Sequence, residues 1–105
     1  MFDRDEIHNR VQSGTRPDEN LPLNLQALWF DGIGDWEQAH DLCQRIPDPA
    51  GARIHAYLHR KEGDISNARY WYSRAGEEMP DVALEQEWND LLDRYCTESS
   101  GTGQA

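Results

Sequence analysis

Basic charge is scarce in this chain. Ten Lys and Arg stand against 20 Asp and Glu over 105 residues, a formal net charge of −10. That balance argues against a nucleic-acid partner, because nothing would neutralise the phosphates and release their counterions. It leaves room for a cationic protein or peptide. Nine of the ten basic residues are Arg and only Lys61 is Lys, a bias read here as compositional. Cysteine is rare as well. Cys43 and Cys96 are too few for a disulfide framework and imply reduced thiols and a cytoplasmic location. Long apolar runs are missing, and MFDRDEIHNR at the N-terminus is charged from its third residue, so neither a signal peptide nor a membrane span is expected. A phosphate loop and a dinucleotide fingerprint are also missing, since Gly32-x-Gly34 follows no strand pattern. Hydrophobic residues make up only 37% of the chain, and four Trp and four Tyr compensate by the large area each can bury. The length suits a single domain.

What is present is helical periodicity with caps. Asp3-Arg4-Asp5-Glu6 is a capping-box pattern flanked by Phe2 and Ile7, and it predicts a short leading helix over 4–12. Residues 13–19 read as a linker punctuated by Gly14 and Pro17. Asn20 and Pro22 suit a helix start, after which Leu21, Leu25 and Leu28 share one face. Gly34 ends that helix, Asp35 caps the next, and Trp36, Ala39, Cys43 and Ile46 form its buried stripe. Pro47-Asp48-Pro49 breaks the chain. A helix over 50–61 follows, with Ile54, Tyr57 and Leu58 on one stripe and Ala52, His55, Ala56 and His59 on another. After Gly63-Asp64, the stripe Ile65, Ala68, Tyr72 and Ala75 predicts a partner helix ending at Gly76. A closing helix over 81–96 places Leu84, Trp88, Leu91, Leu92 and Tyr95 on one side, with Cys96 near a frayed end. Residues 97–105 lack an apolar anchor and are expected to be disordered.

Setting Gly34-Asp35 on Gly63-Asp64 exposes an internal repeat with a period of 29 residues. An apolar residue follows each pair (Trp36, Ile65), and an alanine lies five residues past each glycine (Ala39, Ala68), where the helices of a hairpin come closest. In Gly63-Asp64-Ile65-Ser66-Asn67-Ala68, with Ala56 before and Tyr72, Ala75 and Pro80 after, the chain resembles the tetratricopeptide-repeat family. The first hairpin resembles it through Phe30, Gly34, Asp35, Trp36 and Ala39, with Cys43 in place of the usual aromatic. The resemblance covers residues 23–80. It implies an all-α fold: a right-handed stack of two antiparallel hairpins, 21–46 and 50–76, with a leading and a closing helix within one domain over 1–96. It also implies a scaffold that binds a protein or peptide, as a monomer or a homodimer. His55 and His59 occupy positions where the motif has a large apolar residue and a tyrosine.

Two constellations could carry chemistry. His55 and His59 are four residues apart on one helical face, a spacing that can hold one metal ion, and His40 belongs to the helix expected to pack beside them. Their alternative function is a site for a divalent transition metal such as zinc, or for a small molecule, at the seam between hairpins, a site that could also serve an enzyme. Asp31, Asp35 and Asp41 are the candidate carboxylates to complete or orient it. The competing reading is that the three are packing histidines. It gains from the lack of a His-Glu-x-x-His motif and of a carboxylate fixed at helical spacing beside the pair. The second constellation is Asn67, Trp71 and Arg74, an amide, an aromatic face and a guanidinium suited to a ligand platform. Its competing reading places Trp71 beneath the closing helix and pairs Arg74 with Glu77 or Glu78. A Cys–His enzyme is rejected, because His40 and Cys43 on one helix do not aim a base at a thiol. The fold reading is thus a scaffold without a cofactor, and no catalytic residue is expected.

Overall fold

The computed structural model describes residues 2–101, with the side chains of 99–101 excepted. Six helices follow one another: α1 (Arg4–Gln12), α2 (Leu23–Gly32), α3 (Trp36–Cys43), α4 (Ala50–Glu62), α5 (Ile65–Arg74) and α6 (Leu84–Gly101). Helix α2 packs antiparallel to its neighbour α3, and α4 packs on α5. The two pairs meet through α3 on α4 and α2 on α4, while α1 and α6 lie against α2. Among the described residues, no helix is long and apolar enough to cross a membrane.

The Gly-Asp pairs make both hairpin turns in the same way. Gly34 and Gly63 take φ of 92° and 91°, a left-handed conformation that a side chain would strain. Behind the first, Gly34 N–H donates to Asp31 O and Asp35 N–H to Phe30 O; behind the second, Gly63 N–H donates to Arg60 O and Asp64 N–H to His59 O. This paired bonding satisfies carbonyls that a helix end would otherwise leave open. Each aspartate then caps the next helix, Asp35 accepting from Gln38 N–H and Asp64 from Asn67 N–H. Asp3 does the same for α1 with Asp5 and Glu6 N–H.

The start of α2 differs from the sequence expectation. Pro22, not Asn20, precedes the helix, and no side chain caps it. Instead the Gln26 amide folds back to donate to Leu21 O and Glu19 O, fixing the incoming strand of chain. Ile65, the first residue of α5, also departs from its expected place on the packing stripe, being 41% exposed. The closing helix begins at Leu84 rather than at 81, and it continues past 96 to Gly101. An Arg94–Glu98 ion pair bridges that added turn, where the sequence offers no Gly or Pro before Gly101. Expected disorder at 102–105 lies outside the described residues. Cys96 is buried at 3% exposure, a correction to its expected place at a frayed end. It belongs to the same apolar cluster as Ile7 and Val11 of α1.

The core sits around α2 and α4. Leu25, Leu28, Ile54, Leu58 and Leu92 are fully buried, each worth about 1.5–3 kcal/mol of transfer free energy. Ala56 of α4 meets Ala68 and Tyr72 of α5 in a separate small cluster. Both alanines are fully buried there. Polar groups enter the core only when paired. Asp31 accepts from Tyr57 Oη at 3.2 Å and from Lys61 Nζ at 2.9 Å. Glu87 accepts from Tyr72 Oη and from Arg60, both at 2.6 Å. Arg53 donates to Glu77 and to Tyr95 Oη, again at 2.6 Å. No helix pattern drawn from apolar residues alone reveals these three knots.

Candidate functional site at the seam between the hairpins

The packing of α3 on α4 is fixed by one tryptophan. The indole of half-buried Trp36 donates its Nε1–H to Leu58 O at 2.9 Å, a carbonyl of α4. One turn later on α3, His40 stacks on that indole at 4.9 Å between centroids and 14° between planes. The tryptophan therefore sets the imidazole against α4, where His55 and His59 project from successive turns.

The three rings converge. His40 Nε2 and His55 Nε2 are 2.9 Å apart. The His40 ring stands edge-on to His55 and His59, with centroids at 4.5 and 5.2 Å. His55 and His59 lie nearly parallel, 11° apart in plane. One ring nitrogen from each residue falls within 4.8 Å of the other two. His55 and His59 are buried, and His40 is half-buried.

A carboxylate orients the third ring. Glu62 Oε2 lies 2.7 Å from His59 Nδ1. With Nδ1–H donating to Glu62, the lone pair of His59 is on Nε2, the tautomer a metal ligand requires. None of the expected carboxylates belongs to the three-imidazole group, and Asp41 acts on His40 through its charge. Asp31 is held by Tyr57 and Lys61, and Asp35 caps α3. The expectation that no carboxylate stands at helical spacing beside the pair is corrected by Glu62, three residues past His59. That i,i+3 spacing was the signal in the sequence.

Burial favours the neutral form of His55 and His40. Burial, then the neighbouring His40, His59 and Arg74, push His55 down to about 4 against a partial counter-effect of Asp48. Burial and then His59 likewise lower His40, with Asp41 and Glu62 opposing. Neutral imidazole is the form that donates a lone pair to a metal.

Asn67, Trp71 and Arg74 lie along the same cluster instead of forming a separate platform. Trp71 stacks on His55 at 4.0 Å and 15°, so it covers the face of that ring and does not lie beneath α6. Arg74 sits 4.8 Å over the Trp71 ring and pairs with Asp48 at 2.7 Å, not with Glu77 or Glu78. The Asn67 amide nitrogen is 3.5 Å from His59 Nε2 and 3.4 Å from Asp64 Oδ2. A cavity of about 390 Å³, lined by Gln44, Asp48, His55, Trp71 and Arg74 among others, opens beside the stack. Cys43 also lines it, but burial pushes its thiol up to about 12, which keeps it protonated.

Trp36 and Glu62 are the two site residues that sequence reasoning left unassigned. Trp36 entered the sequence reading as part of a buried stripe and of the internal repeat, not as a site residue. No protein-family model, curated protein or solved structure matches the chain.

Proposed function

We propose that this domain binds a divalent transition metal, zinc, through His40, His55 and His59. We further infer that it does so on a frame of two hairpins stacked in the manner of tetratricopeptide repeats. The observation that carries the reading is the convergence of three imidazoles from two separate hairpins, one of them oriented by a carboxylate. A packing role needs no such convergence, whereas a tetrahedral ion does. With metal–nitrogen bonds of about 2.0–2.1 Å, its ligand nitrogens are separated by roughly 3.3 Å. The His40–His55 contact at 2.9 Å is within a few tenths of that span.

The donor set selects the metal. Three neutral nitrogens without a thiolate suit zinc and its borderline neighbours, while magnesium and calcium require oxygen ligands. The frame is supported by the matched Gly-Asp turns, by the fully buried Ala39 and Ala68, and by the contact of α3 with α4. A protein- or peptide-binding role has less to rest on. The large apolar side chains exposed among the described residues are Ile65, Tyr70 and Val82, which fall short of the contiguous patch a partner groove needs.

The test is metal content and zinc titration of the purified chain. About one zinc per chain is expected, with His40→Ala, His55→Ala and His59→Ala each weakening zinc by at least a hundredfold. A chain that retains no metal, and whose melting temperature ignores added zinc, would overturn the proposal.

A further inference from the structure

Resting on the metal reading above, we infer that the fourth coordination position of the ion accepts an exogenous anionic donor, steered by the amide of Asn67. Among the described residues, the group of His, Cys, Asp and Glu donors around His40 and His55 contains the three imidazoles and nothing more. Glu62 and Asp64, which form a second group with His59, are engaged elsewhere: Glu62 on Nδ1 of His59, across the ring from Nε2, and Asp64 on the backbone and side-chain N–H of Asn67. Three protein nitrogens with one position left over is the arrangement of sites that bind a water or a substrate, whereas closed structural sites use four protein ligands.

Asn67 decides what kind of donor fits there. Its Nδ2 faces two acceptors, the Asp64 carboxylate at 3.4 Å and His59 Nε2 at 3.5 Å. The His59 Nε2 lone pair is the one the ion takes, so metal binding frees that N–H from His59 and leaves it beside the ion, while Asp64 still holds the amide. An N–H cannot ligate a cation, but it can donate to an acceptor already on the ion. Hydroxide, azide or a carboxylate oxygen meets both demands, since each brings a lone pair to the metal and a second to the amide. A cationic or purely hydrogen-donating ligand meets neither.

Access comes from the same side. His55 and His59 are buried, while His40 on α3 and Asn67 on α5 are half-buried and rim the cluster. The two indoles close the remaining faces, Trp36 over His40 and Trp71 over His55.

Cobalt(II) in place of zinc provides the readout, because its visible d–d bands report coordination. The cobalt-loaded chain should change its spectrum saturably on addition of azide, and acetate should compete. At saturating cobalt, Asn67→Ala should weaken azide about tenfold, the loss expected for one hydrogen bond to an anion. Asn67→Asp, which puts a negative acceptor in the same place, should weaken it further. A cobalt spectrum indifferent to azide refutes the open position alone. Equal azide affinity in wild type and both variants refutes the role of Asn67. A chain that takes up no cobalt refutes the metal site beneath both.

Discussion

Replacing Glu87 with alanine should cost this domain about 3–5 kcal/mol, the range for breaking a buried ion pair by removing one partner. Glu87 projects from α6 into the seam between α4 and α5 and is 5% exposed. Its carboxylate accepts from Arg60 on one oxygen and from Tyr72 Oη on the other, both at 2.6 Å. Removing it leaves a guanidinium only 15% exposed, and a fully buried phenol, without their acceptor. Arg60 keeps its bond to Val82 O, which offsets part of the loss. Tyr72→Phe should cost less, about 1.5–3 kcal/mol, because the carboxylate retains Arg60. The double variant should cost less than the sum of the two singles by about 1–2 kcal/mol, since the same bond is removed twice. Urea denaturation followed by circular dichroism measures all three, against a total stability of about 5–15 kcal/mol for a domain of this kind. If Glu87→Ala falls within about 0.5 kcal/mol of wild type, as an ordinary surface change would, the docking of α6 described here is wrong.

Three further outcomes follow from the packing. Ala68→Arg should abolish cooperative folding by overpacking and by burying an unpaired charge against Ala56, and a native helical spectrum with an unchanged melting temperature would contradict the hairpin geometry. Gly51→Ala should destabilise by about 1–3 kcal/mol, because an added Cβ would lie 2.1 Å from the backbone oxygen of Ile46; equal stability would show that the 46–51 turn yields freely. Both thiols should resist alkylation in the native protein, since burial encloses Cys43 and Cys96 and raises both. Mass spectrometry after brief native labelling checks this, and Cys96 modified as fast as in denatured protein would place the end of α6 away from α1.

Local signals were legible in the sequence where one residue type had one task. Gly34-Asp35 and Gly63-Asp64 each ended one helix and capped the next, and the helical spacing of apolar residues placed α2, α4 and α5 within about two residues, whereas α3 ends at Cys43, short of the Ile46 that its stripe had included. The start of α2 was misread because a long-range bond, Gln26 to the backbone ahead of it, took over the capping that Asn20 could have supplied. The end of α6 was misread because composition cannot see that Arg94 and Glu98 support another turn. For the site, the i,i+4 pair was legible as a pattern on one helix, and the expected packing of the neighbouring helix placed His40 beside it. Two contacts were not legible: the bond from Trp36 to the Leu58 carbonyl, on whose indole His40 stacks, and the stack of Trp71 on His55. Such contacts depend on how helices meet, which periodicity along one helix does not encode.

The central claim is that three imidazoles from two hairpins hold one metal ion, and X-ray absorption at the zinc edge of the loaded protein tests it most directly. The predicted spectrum has three imidazole nitrogens and one further light donor, all at about 2.0–2.1 Å. The His40→Ala chain should lose one imidazole contribution or the metal altogether. A sulfur shell at about 2.3 Å, or a first shell of oxygens without imidazole scattering, would place the zinc elsewhere and contradict the account.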